Sequence, residues 1–84
     1  MEKITITLKL SESLLCILKD AGNPRPETFQ IQVEPGSSIR RVLASQSINP
    51  LLVPMISRDS RKIPLDTILE EDVTLTLYGP LAGG

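Results

Sequence analysis

The chain has 84 residues and a formal charge of −1, from 9 Lys+Arg against 10 Asp+Glu; 40% of it is hydrophobic, and it holds one Cys, one Tyr, one Phe, no Trp and no His. Without His and with a lone Cys, it can build neither a His/Cys zinc site nor a Ser-His or Cys-His catalytic couple from its own residues. The near-neutral balance and the scarcity of aromatics disfavour a nucleic-acid binder, and no apolar run nears the ~18 residues of a membrane-spanning helix.

A chain of this length is one domain. It lies just above the ~70–80 residues below which disulfide or metal staples are usual, so an aliphatic core must hold it. Met1-Glu2-Lys3 leads straight into an alternating pattern rather than a signal peptide, so a cytoplasmic protein is expected. The single Cys agrees with a reducing compartment.

Ile4, Ile6, Leu8 and Leu10 alternate with Thr5, Thr7 and Lys9, which predicts a half-buried strand. Residues 11–21 fit either a short helix or a second strand. The helix is preferred, because Ser11 or Ser13 can cap it and Gly22 sits where a helix stop is expected. Leu14, Leu15, Ile17 and Leu18 would then form its apolar stripe, with Cys16 buried and inert among them. Asn23-Pro24-Arg25-Pro26-Glu27 reads as a loop, since its prolines cannot donate to a ladder. Phe29, Ile31 and Val33 mark the next strand, broken by Glu34-Pro35-Gly36.

Ser37 or Ser38 caps the main helix, expected over residues 38–47, with Ile39, Val42 and Leu43 on its buried face and Asn49-Pro50 closing it. Residues 52–57 read as a third strand, placed at a sheet edge by Pro54. Arg58 to Arg61 form a polar turn, Lys62-Ile63-Pro64 a very short strand, residues 65–69 one helical turn, and Glu70-Glu71-Asp72 an acidic turn. Val73, Leu75 and Leu77 alternate with Thr74, Thr76 and Tyr78 in the last strand. The first and last strands are the most regular, which suits central positions in a mixed sheet. Strands and one main helix in this order give an α+β class.

Internal chemistry is sparse. The three carboxylates at 70–72 read as a solvated turn rather than an acid/base or metal site, since adjacent turn residues splay apart. Arg40, Arg41, Arg58, Arg61 and Lys62 read as solvated surface charges in preference to an anion-binding face. The distinctive feature is the far end. Pro80 cannot extend the ladder, so the chain is expected to leave the globule after Gly79-Pro80. Gly83 and Gly84 lack Cβ, so this segment is thin enough to enter a narrow partner active site. The competing reading is a frayed, inert terminus.

Leu77-Tyr78-Gly79-Pro80-Leu81-Ala82-Gly83-Gly84 resembles the end of the small subunit of molybdopterin synthase. That protein belongs to the ThiS/MoaD-type sulfur carriers, which are ubiquitin-like β-grasp proteins. Ser37 to Leu43 resembles the family's helix start. Leu69-Glu70-Glu71-Asp72-Val73 resembles its acidic turn, with Glu71 where Gly is usual; Val53-Pro54-Met55 replaces the Val-Asn that often marks the third strand.

The resemblance implies a β-grasp domain over residues 1–80, with a mixed sheet of four to five strands covered by one main helix, and a flexible tail over 81–84. It implies no catalysis by the chain itself and no bound cofactor or metal. A ubiquitin-activating-type adenylyltransferase would use ATP to adenylate the Gly84 carboxylate. A sulfur donor would then displace AMP and leave a thiocarboxylate for a sulfur-accepting enzyme, such as the molybdopterin synthase large subunit. Gly83 would be the slender neighbour, Leu81 and Ala82 would help dock the tail, Gly79 and Pro80 would aim it, and exposed Tyr78 with Leu81 would anchor the partner. A ubiquitin-like modifier joined to lysines through Gly84, or a plain interaction domain, are the alternatives.

Overall fold

Period-two alternation carries through into the sheet. The computed structural model describes residues 2–80, and its first strand, β1 (Ile4–Leu10), buries Ile4, Ile6, Leu8 and Leu10 while Thr5, Thr7 and Lys9 turn outward. The other strands are β2 (Thr28–Val33), β3 (Ser37–Ser38), β4 (Met55–Arg58), β5 (Arg61–Ile63), β6 (Ile68–Leu69) and β7 (Val73–Tyr78). Five of them form a mixed sheet in the order β2-β1-β7-β4-β5, and β3 with β6 forms a separate two-stranded ladder. The expected central pair is present: β1 and β7 run parallel, with Leu8 opposite Leu75 and Leu10 opposite Leu77.

Among the described residues two helices cover one face of this sheet, the expected short helix over 11–21 and the expected helix after Ser38. Helix α1 (Glu12–Asp20) is capped by Ser11, whose Oγ accepts from the Leu14 N–H at 3.3 Å. Gly22 stops it at φ 79°: the Asn23 N–H reaches the Leu18 carbonyl at 2.8 Å and the Gly22 N–H that of Lys19 at 3.0 Å, the paired bonds of a left-handed helix stop. Helix α2 (Ile39–Ser45) is capped by Ser38. It ends two residues before the expected boundary because Ser47 takes the left-handed position at φ 60°, which lets the Ile48 N–H close on the Leu43 carbonyl at 2.9 Å. Ile48 is buried there, completing the apolar contact that accompanies this stop. Leu14 and Leu18 of α1 join Ile39, Val42 and Leu43 of α2 in one core with Ile6, Leu8, Ile56, Leu69, Leu75 and Leu77. Ile31 and Val33 are only partly buried, since β2 is an edge strand.

Three expectations need correction. Residues 52–57 are not one strand: Asn49 Oδ1 accepts from the Leu51 N–H at 2.9 Å, Pro50–Leu52 forms a single tight helical turn, and the strand begins at Met55. Pro54 precedes that strand, and β4 lies inside the sheet with β5 outside it. Residues 65–69 are not one helical turn. A turn at Leu65-Asp66 leads into β6, which pairs Ile68 with Ser38 and Leu69 with Ser37. The carbonyls of Thr67 and Leu65 accept the Ile39 and Arg40 N–H groups at 3.0 and 2.9 Å. They satisfy amides that the first turn of α2 leaves without intrahelical partners. Finally, Cys16 is exposed. Leu14 and Leu18 are four residues apart and share the buried side of α1, whereas Cys16, two residues from each, lies about 200° round the helix.

Candidate functional site

The outlet of β7 is the best-defined feature outside the core. The strand lies between β1 and β4, with Met55 opposite Tyr78 on one side and Leu10 opposite Leu77 on the other. At the β1–α1 junction the Ser11 N–H donates to the Leu77 carbonyl at 2.9 Å. One step on, the Gly79 N–H donates to Ser11 Oγ at 3.1 Å. Gly79 itself is buried against the first turn of α1. A Cβ at this position would stand 2.8 Å from Leu14 N, 2.9 Å from Leu14 Cα and 2.9 Å from Ser13 Oγ. Glycine is required here by close approach of two backbones.

Of the residues singled out from sequence, Tyr78, Gly79 and Pro80 therefore come together at one end of the sheet. Tyr78 is 36% exposed, beside an equally accessible Met55 at 37%. Gly79 is packed inward, so its part in aiming the chain is that of a fixed footing. Leu81, Ala82, Gly83 and Gly84 lie outside the described residues. Ser11, Ser13 and Leu14 were missed as parts of this site; the visible signal was the helix-capping serine.

The face of the sheet away from the helices is polar. Thr5, Thr7, Thr74 and Thr76 are partly or fully exposed on it, and with Gln30, Arg58, Asp59 and Asp72 the first three line an open groove of about 360 Å³. The acidic turn is exposed at all three residues, as expected of a solvated turn, and two of its carboxylates also make surface contacts. Asp72 Oδ1 accepts the Thr5 N–H at 2.7 Å, just beyond the first β1–β7 pair, and Glu71 pairs with Arg58 at 3.2 Å. The basic residues divide between two elements: Arg40 and Arg41 lie on α2, with Arg40 paired to Asp66 at 3.2 Å, and Arg58, Arg61 and Lys62 lie on the β4–β5 hairpin.

No family model and no curated protein matches the chain. Solved structures do. SAMP1 from Haloferax volcanii superposes with a TM-score of 0.63 at 19% identity, over 95% of this chain and 99% of that one. The ubiquitin of Caldiarchaeum subterraneum superposes with a TM-score of 0.60 at 11% identity, over 99% and 100%. The fold is a ubiquitin-like β-grasp. A putative molybdopterin converting factor subunit 1 from Pyrococcus furiosus shares the same β-grasp, with a TM-score of 0.62 at 12% identity over 93% and 99%. Each superposition covers more than nine-tenths of both chains. Among the described residues, no helix is long and apolar enough to cross a membrane.

Proposed function

We propose that the chain is a sulfur carrier of the ThiS/MoaD type. The carrying observation is the footing of its last strand: β7 is held in the middle of a β-grasp sheet and delivers the chain at Gly79-Pro80, four residues before Gly84. A group meant for a partner's active site needs a rigid base and a slender reach. The fold supplies the base, and Gly83-Gly84, lacking Cβ, supplies the reach.

In this reading a ubiquitin-activating-type adenylyltransferase binds the chain and ATP. An oxygen of the Gly84 carboxylate attacks the α-phosphorus, and pyrophosphate leaves. Sulfide then attacks the acyl carbon, AMP leaves, and loss of the proton on sulfur gives the thiocarboxylate. A second partner, of the kind represented by a molybdopterin synthase large subunit, takes that sulfur into a cofactor. The chain supplies no catalytic group and binds no cofactor of its own. The need for ATP fits a cytoplasmic setting.

The test is intact-protein mass spectrometry after incubation with the adenylating enzyme, ATP and sulfide. Exchange of one oxygen for one sulfur, mapped to the C-terminal peptide, supports the reading. Loading that persists when Gly84 is deleted, or that maps to Cys16, overturns it. Replacing Gly83 with Val should impair loading through its restricted backbone and added bulk.

The likeness to SAMP1, a small archaeal modifier protein, favours a second reading in which Gly84 is joined to lysines of other proteins. The activated carboxylate is common to both. Isopeptide-linked adducts in the native cells would mark the modifier, and a free thiocarboxylate the carrier.

A further inference from the structure

We propose that Ser11 is a positioning residue that fixes the direction in which the chain leaves the sheet; its consequence for the reaction rests on the carrier or modifier reading above. The parallel β1–β7 ladder ends where Leu10 faces Leu77, and its last rung runs from the Ser11 N–H to the Leu77 carbonyl. A further rung would require an acceptor for the Gly79 N–H on the β1 side. The backbone can no longer provide it. The chain has turned into α1, and the Ser11 carbonyl accepts from the Leu15 N–H at 3.0 Å. The side chain takes over: Ser11 Oγ accepts from Gly79 N–H at 3.1 Å while still capping α1 through the Leu14 N–H.

A hydroxyl oxygen has two lone pairs and one hydrogen. With both lone pairs engaged, the Ser11 hydrogen goes to Ser13 Oγ, 3.2 Å away. Every hydrogen-bonding capacity of the Ser11 hydroxyl is thus spent at this junction. Pro80 has no N–H, so the Ser11–Gly79 bond is the last backbone-donor tether before residue 81. The absence of a Cβ at Gly79 lets the two backbones meet, and the bond keeps them together. A footing fixed in this way lowers the ordering cost when the segment beyond it enters a partner.

The test compares wild type with Ser11→Gly, Ser11→Ala, Ser11→Thr and a Ser38→Ala control. Gly retains most N-cap preference while lacking the hydroxyl, so Ser11→Gly separates the tether from the stability of α1 even where Ser11→Ala folds poorly. Ser38→Ala removes the cap of the other helix without touching Gly79. The readouts are amide exchange at Gly79 relative to Leu75, followed by NMR, and the KM and kcat of adenylation by the activating enzyme. Ser11→Gly should speed Gly79 exchange by about three- to tenfold, as loss of one hydrogen bond allows. It should raise KM for the chain at nearly unchanged kcat. Ser11→Thr should restore both, and Ser38→Ala should change neither. Unchanged Gly79 exchange in Ser11→Gly overturns the proposal, whatever happens to KM. Equal KM effects from Ser38→Ala overturn it as well. If wild type is never adenylated, the carrier and modifier readings fail, and the exchange arm still decides whether Ser11 holds the outlet.

Discussion

Gly79→Ala tests the geometry of the outlet most directly. The added methyl would sit 2.8 and 2.9 Å from the backbone N and Cα of Leu14, whereas carbon contacts are comfortable at about 3.5–4.0 Å. The two segments must part by several tenths of an ångström, and truncating the Leu14 side chain would not relieve the clash. Overpacking of this kind costs about 1–3 kcal/mol. With an unfolding entropy of about 2.1 cal/mol/K per residue over 84 residues, that is a fall in the thermal midpoint of about 6–17 °C. Gly36→Ala is the contrasting control. Gly36 has φ 91° with nothing within 4 Å of a built Cβ, so its cost, about 1–2 kcal/mol, comes from backbone conformation alone and Asn should recover part of it. Thermal unfolding followed by circular dichroism reads both. An unchanged midpoint for Gly79→Ala would show that the first turn of α1 does not pack against the end of β7 and would refute the argument.

Leu43→Ala should destabilise by about 2–5 kcal/mol, because Leu43 is fully buried between α2 and the sheet; an unchanged urea midpoint would mean the helix face is misplaced. Cys16→Ser should leave stability within about 0.5 kcal/mol, as expected of an exposed side chain, and the wild-type thiol should react fully with a thiol reagent under native conditions; slow reaction limited by unfolding would refute its exposure. Tyr78→Ala should weaken binding to the adenylating partner while nearly preserving the thermal midpoint, since an accessible aromatic beside the outlet suits an interface anchor. A collapse in stability with unchanged binding per folded molecule would instead make Tyr78 part of the core.

Legibility in the sequence followed regularity. The strands β1, β2 and β7 repeat every two residues and α2 repeats at three and four, so their apolar residues announce their faces. Residues 49–58 and 64–69 carry no such period. Their conformations come from local bonds, such as Asn49 Oδ1 to the Leu51 N–H and Thr67 Oγ1 to the Pro64 carbonyl, and from the demand of α2 for acceptors at its start. Cys16 stands among leucines in the sequence, but neighbours in sequence need not share a helix face, and its side chain is exposed. The site was half visible. Ser11 reads as a cap from its neighbours, but its second partner is 68 residues away, and no local pattern announces a contact of that range.

The parallel pairing of β1 with β7 also sets the order of events during synthesis. The pair joins residues 4–10 to residues 73–78, the last strand among the described residues, so this sheet cannot close until translation has passed Tyr78. Before then β1 has only β2 and β4 only β5, and both inner edges stand open to foreign strands. Contacts of such long range also slow closure. A nascent chain halted before Val73 is therefore both unfolded at its centre and prone to aggregate. A partner that recognises the closed sheet, conversely, meets only molecules whose ribosome has already finished β7, so the folded surface itself certifies that translation reached the outlet.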